Sequence, residues 1–147
     1  MIKKMLPIDS SSYDYQFNKT LNEDVQLKPD NLNRWDLQME NGDYVNVTGN
    51  QSLHNAICIA IMTRFGELKE NKLYDEFGCR LHELIKANKS PMVEYKIELF
   101  VMEVLEKMRR IHEVNWVEIT DSLDHSYEIK FNVTSINDEI VEGSVEV

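Results

Sequence analysis

Acidic side chains are the commonest groups in this sequence that could do chemistry. Glu67, Glu70, Asp75 and Glu76 lie close together in a mostly charged segment that is typical of a loop. Two carboxyl groups facing each other across a sugar, one of them kept protonated by an apolar setting, could cleave a glycosidic bond. No defensible spacing brings Glu67 and Asp75 or Glu76 into that arrangement, so we interpret them as solvated loop acids.

Histidine and glycine patterns indicate no metal or nucleotide site. The histidines are scattered, and none belongs to an HExxH motif or a His/Cys cluster with metal-ligand spacing: His54, His82, His112 and His125. The five glycines form neither GxGxxG nor a phosphate-binding loop. We therefore predict no cofactor, no metal and no enzyme activity.

The two cysteines are predicted to be free thiols. Cys58 lies in an apolar helical run, and Cys79 has no CxxC partner. No stretch reaches the roughly 18 apolar residues of a membrane helix, and the basic start leads into serines instead of an apolar signal region. We expect synthesis in the cytoplasm and no membrane partner.

The net charge of −10 is concentrated near the C-terminus. Residues 111–147 carry nine acidic side chains against one base, Lys130, which is −8 of the total. Phosphate binding needs a basic surface, so nucleic acid is an unsuitable partner. The acidic segment fits either a basic protein partner or simple solubility, and charge alone does not separate the two.

Hydrophobic periodicity predicts an α+β fold of one domain over residues 31–147, preceded by an arm over 1–30 that is irregular or extended. A hairpin is expected over 34–47, around the turn Asn41-Gly42-Asp43. A buried helix is expected over about 51–64 because its apolar side chains recur at helical spacing.

The second half should contain one long helix followed by strands. A short helix is predicted over about 79–87, and Ser90-Pro91 suits the start of a helix reaching about residue 110. The hydrophobic period then becomes two, which predicts a three-stranded antiparallel meander of Val114–Ile119, Tyr127–Val133 and Ile140–Val147.

Two short motifs resemble one protein family. The first is Ile61-Met62-Thr63-Arg64-Phe65-Gly66-Glu67, and the second is Phe77-Gly78-Cys79-Arg80-Leu81-His82-Glu83-Leu84. In their order and spacing they resemble the baseplate wedge and sheath-initiator family of contractile phage tails and tail-like injection systems, over about residues 50–147. Gly66 and Gly78 would then be structural turn residues.

The resemblance implies a structural role. It implies a baseplate component that docks on wedge proteins and initiates the sheath by β-strand augmentation, with six copies per particle. Sheath subunits are the other expected partners, and tube or hub proteins are further candidates. The location would be the host cytoplasm during assembly and then the tail or tail-like particle.

The resemblance also suggests contact residues. The family often has Glu-Pro-Arg-Ile at the end of the long helix, whereas this chain has Met108-Arg109-Arg110-Ile111, so only the last two positions agree. Arg80, Glu83 and Arg110 are the expected wedge contacts, although Arg110 could equally pair with Glu106.

The last predicted strand is the expected templating edge for the sheath. Its contact residues would be Ile140, Val141, Glu142, Val145, Glu146 and Val147. An edge protected by charge that binds nothing fits the sequence nearly as well. Two other functions stay open: a small peptidoglycan hydrolase, since the family has been labelled lysozyme-like, and a generic α+β protein-binding module.

Overall fold

The part of the chain that the structure describes has an α+β fold, with two α-helices after the N-terminal strands and a three-stranded antiparallel C-terminal sheet. The computed structural model describes residues 21–29, 32, 34–84, 86–123 and 126–147. Most of the arm predicted over residues 1–30 therefore lies outside the described residues.

Short strands precede the first helix and form three antiparallel pairs. β1 pairs with β6, β2 with β3, and β4 with β5. Their bounds are Glu23–Val25 (β1), Leu27–Pro29 (β2), Trp35–Leu37 (β3), Met39–Glu40 (β4), Asp43–Tyr44 (β5) and Asn46–Thr48 (β6).

The single hairpin predicted over 34–47 is not confirmed. Only β4 and β5 pair directly around Asn41-Gly42, whose φ angles are +51° and +80°. Residues 35–37 pair instead with a segment before the predicted hairpin, and residues 46–48 pair with β1. The alternating pattern marked the strands, but it contained no information about which earlier segment they would join.

The first helix, α1, spans Gly49–Met62, close to the predicted 51–64. Most of its apolar residues are buried, and Leu53, Ile57 and Ile61 are almost completely inaccessible. The helix ends where Thr63 turns to extended backbone while its N–H still donates to the Ile59 carbonyl at 2.9 Å. A central buried helix was the expectation, and the burial confirms it.

A 3₁₀ helix at Arg80–Leu84 replaces the short α-helix predicted over 79–87. The second α-helix, α2, spans Pro91–Glu106. Ser90 caps it, with its hydroxyl accepting from Val93 N at 3.3 Å, and proline occupies the first turn as predicted.

The prediction of one long helix is not confirmed. α2 has 16 residues, about 24 Å at 1.5 Å per residue, and α1 has 14. α2 ends early because the chain turns at 107–110 so that β7 can begin at Ile111.

The C-terminal sheet has the order β7-β8-β9, with both pairs antiparallel. Its strands are Ile111–Asp121 (β7), Tyr127–Ser135 (β8) and Ile140–Glu146 (β9). Helix α2 packs against β7 and helix α1 packs against β9. The central strand β8 is therefore the most buried, and Ile129, Phe131 and Val133 are fully inaccessible.

Candidate functional site: the β9 edge of the C-terminal sheet

Strand β9 lies at one margin of the sheet and pairs with β8 in the described part of the chain. Val147 and Tyr127 exchange two backbone hydrogen bonds, of 2.8 and 2.9 Å, and Ser135 N donates to Glu139 O at 2.8 Å. Hydrogen-bonded pairs alternate along an antiparallel ladder. The odd-numbered residues of β9 thus bond to β8, and the backbone of residues 140, 142, 144 and 146 points away from it.

The side chains of β9 alternate in the same way. Val141 and Val145 are buried in the core, at 4% and 1% exposure, whereas Ile140 is 61% exposed. Glu142 and Glu146 are also exposed. The residues with outward backbone groups thus carry the exposed side chains, so an added strand would meet a surface of isoleucine, glutamate and serine.

The opposite margin of the sheet, β7, is a poorer template. Its register against β8 shifts between Ile111 and Glu113 and again between Val114 and Trp116. Such bulges twist a strand and interrupt its row of backbone groups. The pairing of β9 with β8 runs without a shift from Ile140 to Glu146. Within the described ranges, β9 therefore presents a regular edge of seven residues.

The solvent-facing side of the sheet is acidic and polar. Lys130 on β8 pairs with Glu128 at 3.6 Å and lies opposite Glu118 of β7. Glu146 Oε1 accepts hydrogen bonds from Ser122 Oγ at 3.1 Å and Ser126 Oγ at 2.6 Å. These carboxylates give the face a negative potential that would attract a basic segment.

A polar ladder crosses the three strands and holds Glu142. Asn115 Nδ2 of β7 donates to Asn132 Oδ1 at 2.6 Å, and Asn132 Nδ2 donates to Glu142 Oε1. Asn132 is only 7% exposed. The carboxylate of Glu142 is therefore held in a fixed position at the sheet margin.

Helix α1 reaches β9 at Gly143. A Cβ atom at this glycine would collide with the ring of His54 and would lie 2.6 Å from Phe131 Cζ. The rings of His54 and Phe131 are 5.7 Å apart between centroids. Burial lowers the pKa of His54, which favours a neutral ring at physiological pH. The absence of a side chain at Gly143 allows α1 to support the edge strand closely.

A groove of about 340 Å³ opens beside the first residues of β9. One wall is Ile140–Glu142, and the other is formed by Gln26 and residues of the first two turns of α1. Asn55 lies in that wall, is 1% exposed, and donates from Nδ2 to Val25 O at 2.9 Å. The buried Oδ1 atoms of Asn50 and Asn55 have no hydrogen-bond partner among the described residues.

Sequence reasoning missed this groove. The available signal was an asparagine at position 55 within the apolar stripe of a buried helix. A buried amide needs partners, so a polar residue at such a position indicates either a structural bond or a site. Asn55 makes one structural bond with Nδ2, and its buried Oδ1 has no hydrogen-bond partner among the described residues.

The two family-like motifs contact each other through their backbones. Cys79 N donates to Thr63 O at 2.8 Å, and Phe65 N donates to Cys79 O at 3.0 Å. Gly66 and Gly78 have φ angles of +78° and +107°. A Cβ atom added to Gly78 would lie 2.7 Å from the backbone of Thr63 and Arg64. A Cβ atom added to Gly66 would have no heavy atom within 4 Å. The backbone segments that carry these two motifs therefore form a tightly closed turn.

The expected wedge contacts are spread over that turn and the end of α2. The Arg80 guanidinium lies 5.0 Å from the Phe65 ring centroid, and Lys107 Nζ lies 5.7 Å from the same centroid. Glu83 is exposed on the 3₁₀ helix. Arg80 is half-buried against Phe65, so Glu83 is the more accessible of these two candidate contacts.

Arg110 has an intramolecular partner that the sequence did not indicate. Its Nη1 donates to the carbonyl of Leu21 at 2.9 Å, and Leu21 itself is fully buried. Burial lowers the pKa of Arg110, and the nearby charge of Asp24 opposes that shift. Arg110 thus ties the start of the described chain to the end of α2, a bond different from the alternative pairing with Glu106.

A larger cavity, of about 800 Å³, lies at the other end of β9, beside Glu146 and Val147. The C-terminal end of α1, the 79–89 segment and the first turns of α2 also line it. Two lining residues, Tyr127 and His82, have buried polar atoms without a hydrogen-bond partner in the described chain. The two concave regions thus flank the edge strand at its opposite ends.

The loop carboxylates lie exposed to solvent. Glu67, Asp75 and Glu76 are exposed, and Glu67 Oε2 accepts a bond from Arg64 N at 3.3 Å. A general acid needs an apolar setting that keeps it protonated, and this exposed loop offers none. The geometry of these three residues therefore gives the hydrolase alternative no support.

The prediction that both cysteines are free thiols is confirmed. Cys58 and Cys79 are free and buried, and burial raises the pKa of Cys58 to about 12 and of Cys79 to about 11. Thiols with such pKa values are poor nucleophiles at neutral pH. Among the described residues, no group of three or more histidine, cysteine, aspartate or glutamate side chains could hold a metal ion.

Comparison with known proteins returned no family-model match and no significant match to a curated protein. In the described ranges, no helix has both the length and the apolar character needed to span a membrane. The site must therefore be interpreted from its own geometry.

Proposed function

We propose that this chain is a structural baseplate component of a contractile tail or tail-like particle. It docks on wedge proteins and initiates the sheath by accepting a strand from a sheath subunit at β9. The observation that carries the proposal is the regular β9 edge, where the backbone of residues 140, 142, 144 and 146 points away from β8. Strand addition uses such backbone groups for affinity and alternating side chains for register.

The chemistry of the edge also supports a basic partner. Glu142 and Glu146 alternate with Ser144 on the exposed side of β9, and Lys130 is the only base facing them on β8. A partner strand with lysine or arginine would be attracted, and its association would slow as salt is added.

The rest of the proposal comes from the family resemblance. Wedge docking would use Arg80, Glu83 and Arg110, in a ring of six copies, with tube or hub proteins as further contacts. The chain would be found in the host cytoplasm during assembly and later in the particle. Sequence periodicity predicts an N-terminal hairpin, and the resemblance implies one long helix, but strand addition requires neither, because β8, β9 and α1 form the edge.

Ser144→Pro provides the direct test. Proline removes the outward N–H of residue 144, and edge strands tolerate proline where that N–H faces solvent. Ser144→Ala is the matched control, because it keeps the N–H. We expect Ser144→Pro to abolish pull-down of a sheath subunit, and Ser144→Ala to retain it.

The fold of each variant is checked by hydrogen exchange at Val141 and Val145, whose N–H groups bond to β8. Glu142→Pro is a second variant in case Ser144→Pro loses that protection. If either proline variant stays folded and still captures the sheath subunit normally, strand addition at β9 is rejected.

The alternatives are separated by other measurements. If the chain hydrolyses peptidoglycan and Glu67→Gln abolishes that activity, the hydrolase function is established instead. A generic binding module would capture some other protein through β9 and would leave sheath assembly unaffected by Ser144→Pro.

A further inference from the structure

Helix α2 has apolar side chains on two opposite sides. Its inner side packs into the core through five buried residues: Val93, Ile97, Val101, Val104 and Leu105. Met92, Tyr95 and Leu99 lie on the opposite side, where they are between 47% and 62% exposed. Steps of three and four residues place them in one row along the helix. The half-buried Met102 continues this row, and we call the four residues the outer stripe.

The outer stripe is an unusual surface for a helix in water. A surface helix normally has polar residues on the side that faces away from the core, and a helix that is apolar all round is normally buried. Exposed apolar side chains are ordinary when they are scattered singly, whereas contiguous ones mark interaction sites. We therefore expect a second molecule to cover the outer side of α2.

The spacing of the stripe fits a helical partner. Positions 92, 95, 99 and 102 follow the a and d positions of a heptad repeat, whose side chains pack between those of a facing helix. The row is about 15 Å long at 1.5 Å per residue, which is close to three turns. An added strand would instead need a free backbone edge, and a helix offers none.

The charged residues beside the stripe indicate the charge of that partner. In this heptad Lys96 and Glu103 occupy e positions and Glu98 occupies a g position, while Glu106 takes the next a position. Lys96, Glu98 and Glu106 are exposed. Glu103 pairs with Lys107 at 3.5 Å, but both side chains are exposed, so that pair is weak. Charges at e and g pair with opposite charges on the facing helix, so three acids against one base favour a cationic partner. The same acids would repel an anionic lipid surface.

A second copy of α2 is a poorer occupant. In a parallel pair the g position of one helix faces an e position of the other, which would place Glu98 beside Glu103 of the second copy. An antiparallel pair that buries the whole stripe would place Met92 opposite Met102, which brings Glu98 near Glu98 and Lys96 near Lys96. Juxtaposed like charges select against a partner. Charge complementarity therefore favours a different helix.

We propose that the outer stripe of α2 binds a cationic amphipathic helix of another protein. The apolar residues of that helix would pack between Met92, Tyr95 and Leu99, and its lysine or arginine side chains would lie beside Glu98 and Glu103. The stripe shares no residue with the β9 edge or with the expected wedge contacts. The inference thus goes beyond the proposed function and does not depend on it.

Two synthetic peptides test the stripe on the full chain. Both are amphipathic helices with leucine at the a and d positions, and one has lysine at e and g where the other has glutamate. Repulsion between like charges discourages each peptide from pairing with itself. Binding of the fluorescently labelled peptides is measured by anisotropy at low salt. We expect the lysine peptide to bind at least about tenfold more tightly, equivalent to about 1.4 kcal/mol.

Variants separate binding at the stripe from general attraction to an acidic chain. Leu99→Gln removes an exposed apolar contact and keeps a good helix former. Leu68→Gln is the control, because Leu68 lies in a loop and is 42% exposed, close to Leu99. We expect Leu99→Gln to weaken binding of the lysine peptide at least about tenfold, and Leu68→Gln to leave it unchanged. Tyr95→Gln is the second variant, in case circular dichroism shows that Leu99→Gln is unfolded.

The outcomes that would overturn the inference are distinct. Equal binding of the two peptides, no binding of either, or equal binding to folded Leu99→Gln and Leu68→Gln would each reject a cationic helix on the stripe. Sedimentation equilibrium of the full chain tests the second copy, and we expect a monomer throughout the concentration range of the titration. Self-association that Leu99→Gln abolishes would assign the stripe to a second copy instead.

Discussion

Substitution of Gly78 by alanine should destabilise the chain far more than the same substitution at Gly66. Both glycines have positive φ, +107° and +78°, so alanine at either position would be strained by about 1–3 kcal/mol. They differ in their surroundings. An added Cβ at Gly78 would lie 2.7 Å from the Thr63 carbonyl oxygen and from the Arg64 carbonyl group, whereas Gly66 has open space.

The atoms around Gly78 are backbone, so they cannot move aside by a change of rotamer. The collision can be relieved only if the two backbone segments move apart. Cys79 holds these segments together, because its N–H donates to Thr63 O and its carbonyl accepts from Phe65 N. Overpacking of this kind costs about 1–3 kcal/mol in addition to the strain. We therefore expect the free energy of unfolding to fall by roughly 2–6 kcal/mol in Gly78→Ala and by roughly 1–3 kcal/mol in Gly66→Ala.

Urea unfolding followed by far-ultraviolet circular dichroism measures both losses as free energies of unfolding. The comparison is valid when the denaturant dependence of the two variants is unchanged, because the midpoint shift then reports stability alone. Losses that agree within about 0.5 kcal/mol would show that the close approach at Gly78 has no energetic weight, and the steric reasoning would be refuted.

Three further predictions concern Gly143, His54 and Arg110. In urea unfolding, Gly143→Ala should lower the free energy of unfolding by about 1–3 kcal/mol, and adding His54→Ala should restore part of that loss. Ser144→Ala, on the exposed side of β9, should leave the free energy of unfolding nearly unchanged. Because burial lowers the folded-state pKa of His54, the unfolded chain binds the proton first, so stability should fall as pH drops below about 6.5; His54→Gln should show a shallower decline between pH 7 and 5. Arg110→Ala should lower the free energy of unfolding by about 1.5–3 kcal/mol, because it removes the hydrogen bond to Leu21 O. An unchanged melting temperature in thermal unfolding would show that this bond does not stabilise the fold.

Periodicity predicted the elements of the second half well because their signals are local. The change of period after Ile111 marked β7, β8 and β9, and short connections required an antiparallel order. Ser90-Pro91 marked the start of α2, since a cap and a proline act on their own turn. The end of α2 was placed too late, because the apolar pattern continues through Met108, beyond the last helical residue.

Sequence reasoning failed where two distant segments meet. The N-terminal strands pair with residues 6 to 25 positions away, and alternation contains no information about which partner each will choose. Arg110 was assigned to a partner protein or to Glu106, and its bond to Leu21 O spans 89 positions in the chain. The groove beside β9 likewise depends on α1 crossing the sheet at Gly143, a contact that no local pattern predicts.

The acidic residues of β9 can exclude one partner while they recruit another. An antiparallel pairing of two copies centred on Ser144 would place Glu142 of one copy opposite Glu146 of the other. Like charges directly opposite each other destabilise a strand pair. A basic strand would instead form opposite-charge pairs at these positions, so the same two carboxylates discourage self-association and favour the heterologous strand. Under the proposed function, the charge that made solubility and partner binding indistinguishable in the sequence would therefore serve both purposes on a regular edge.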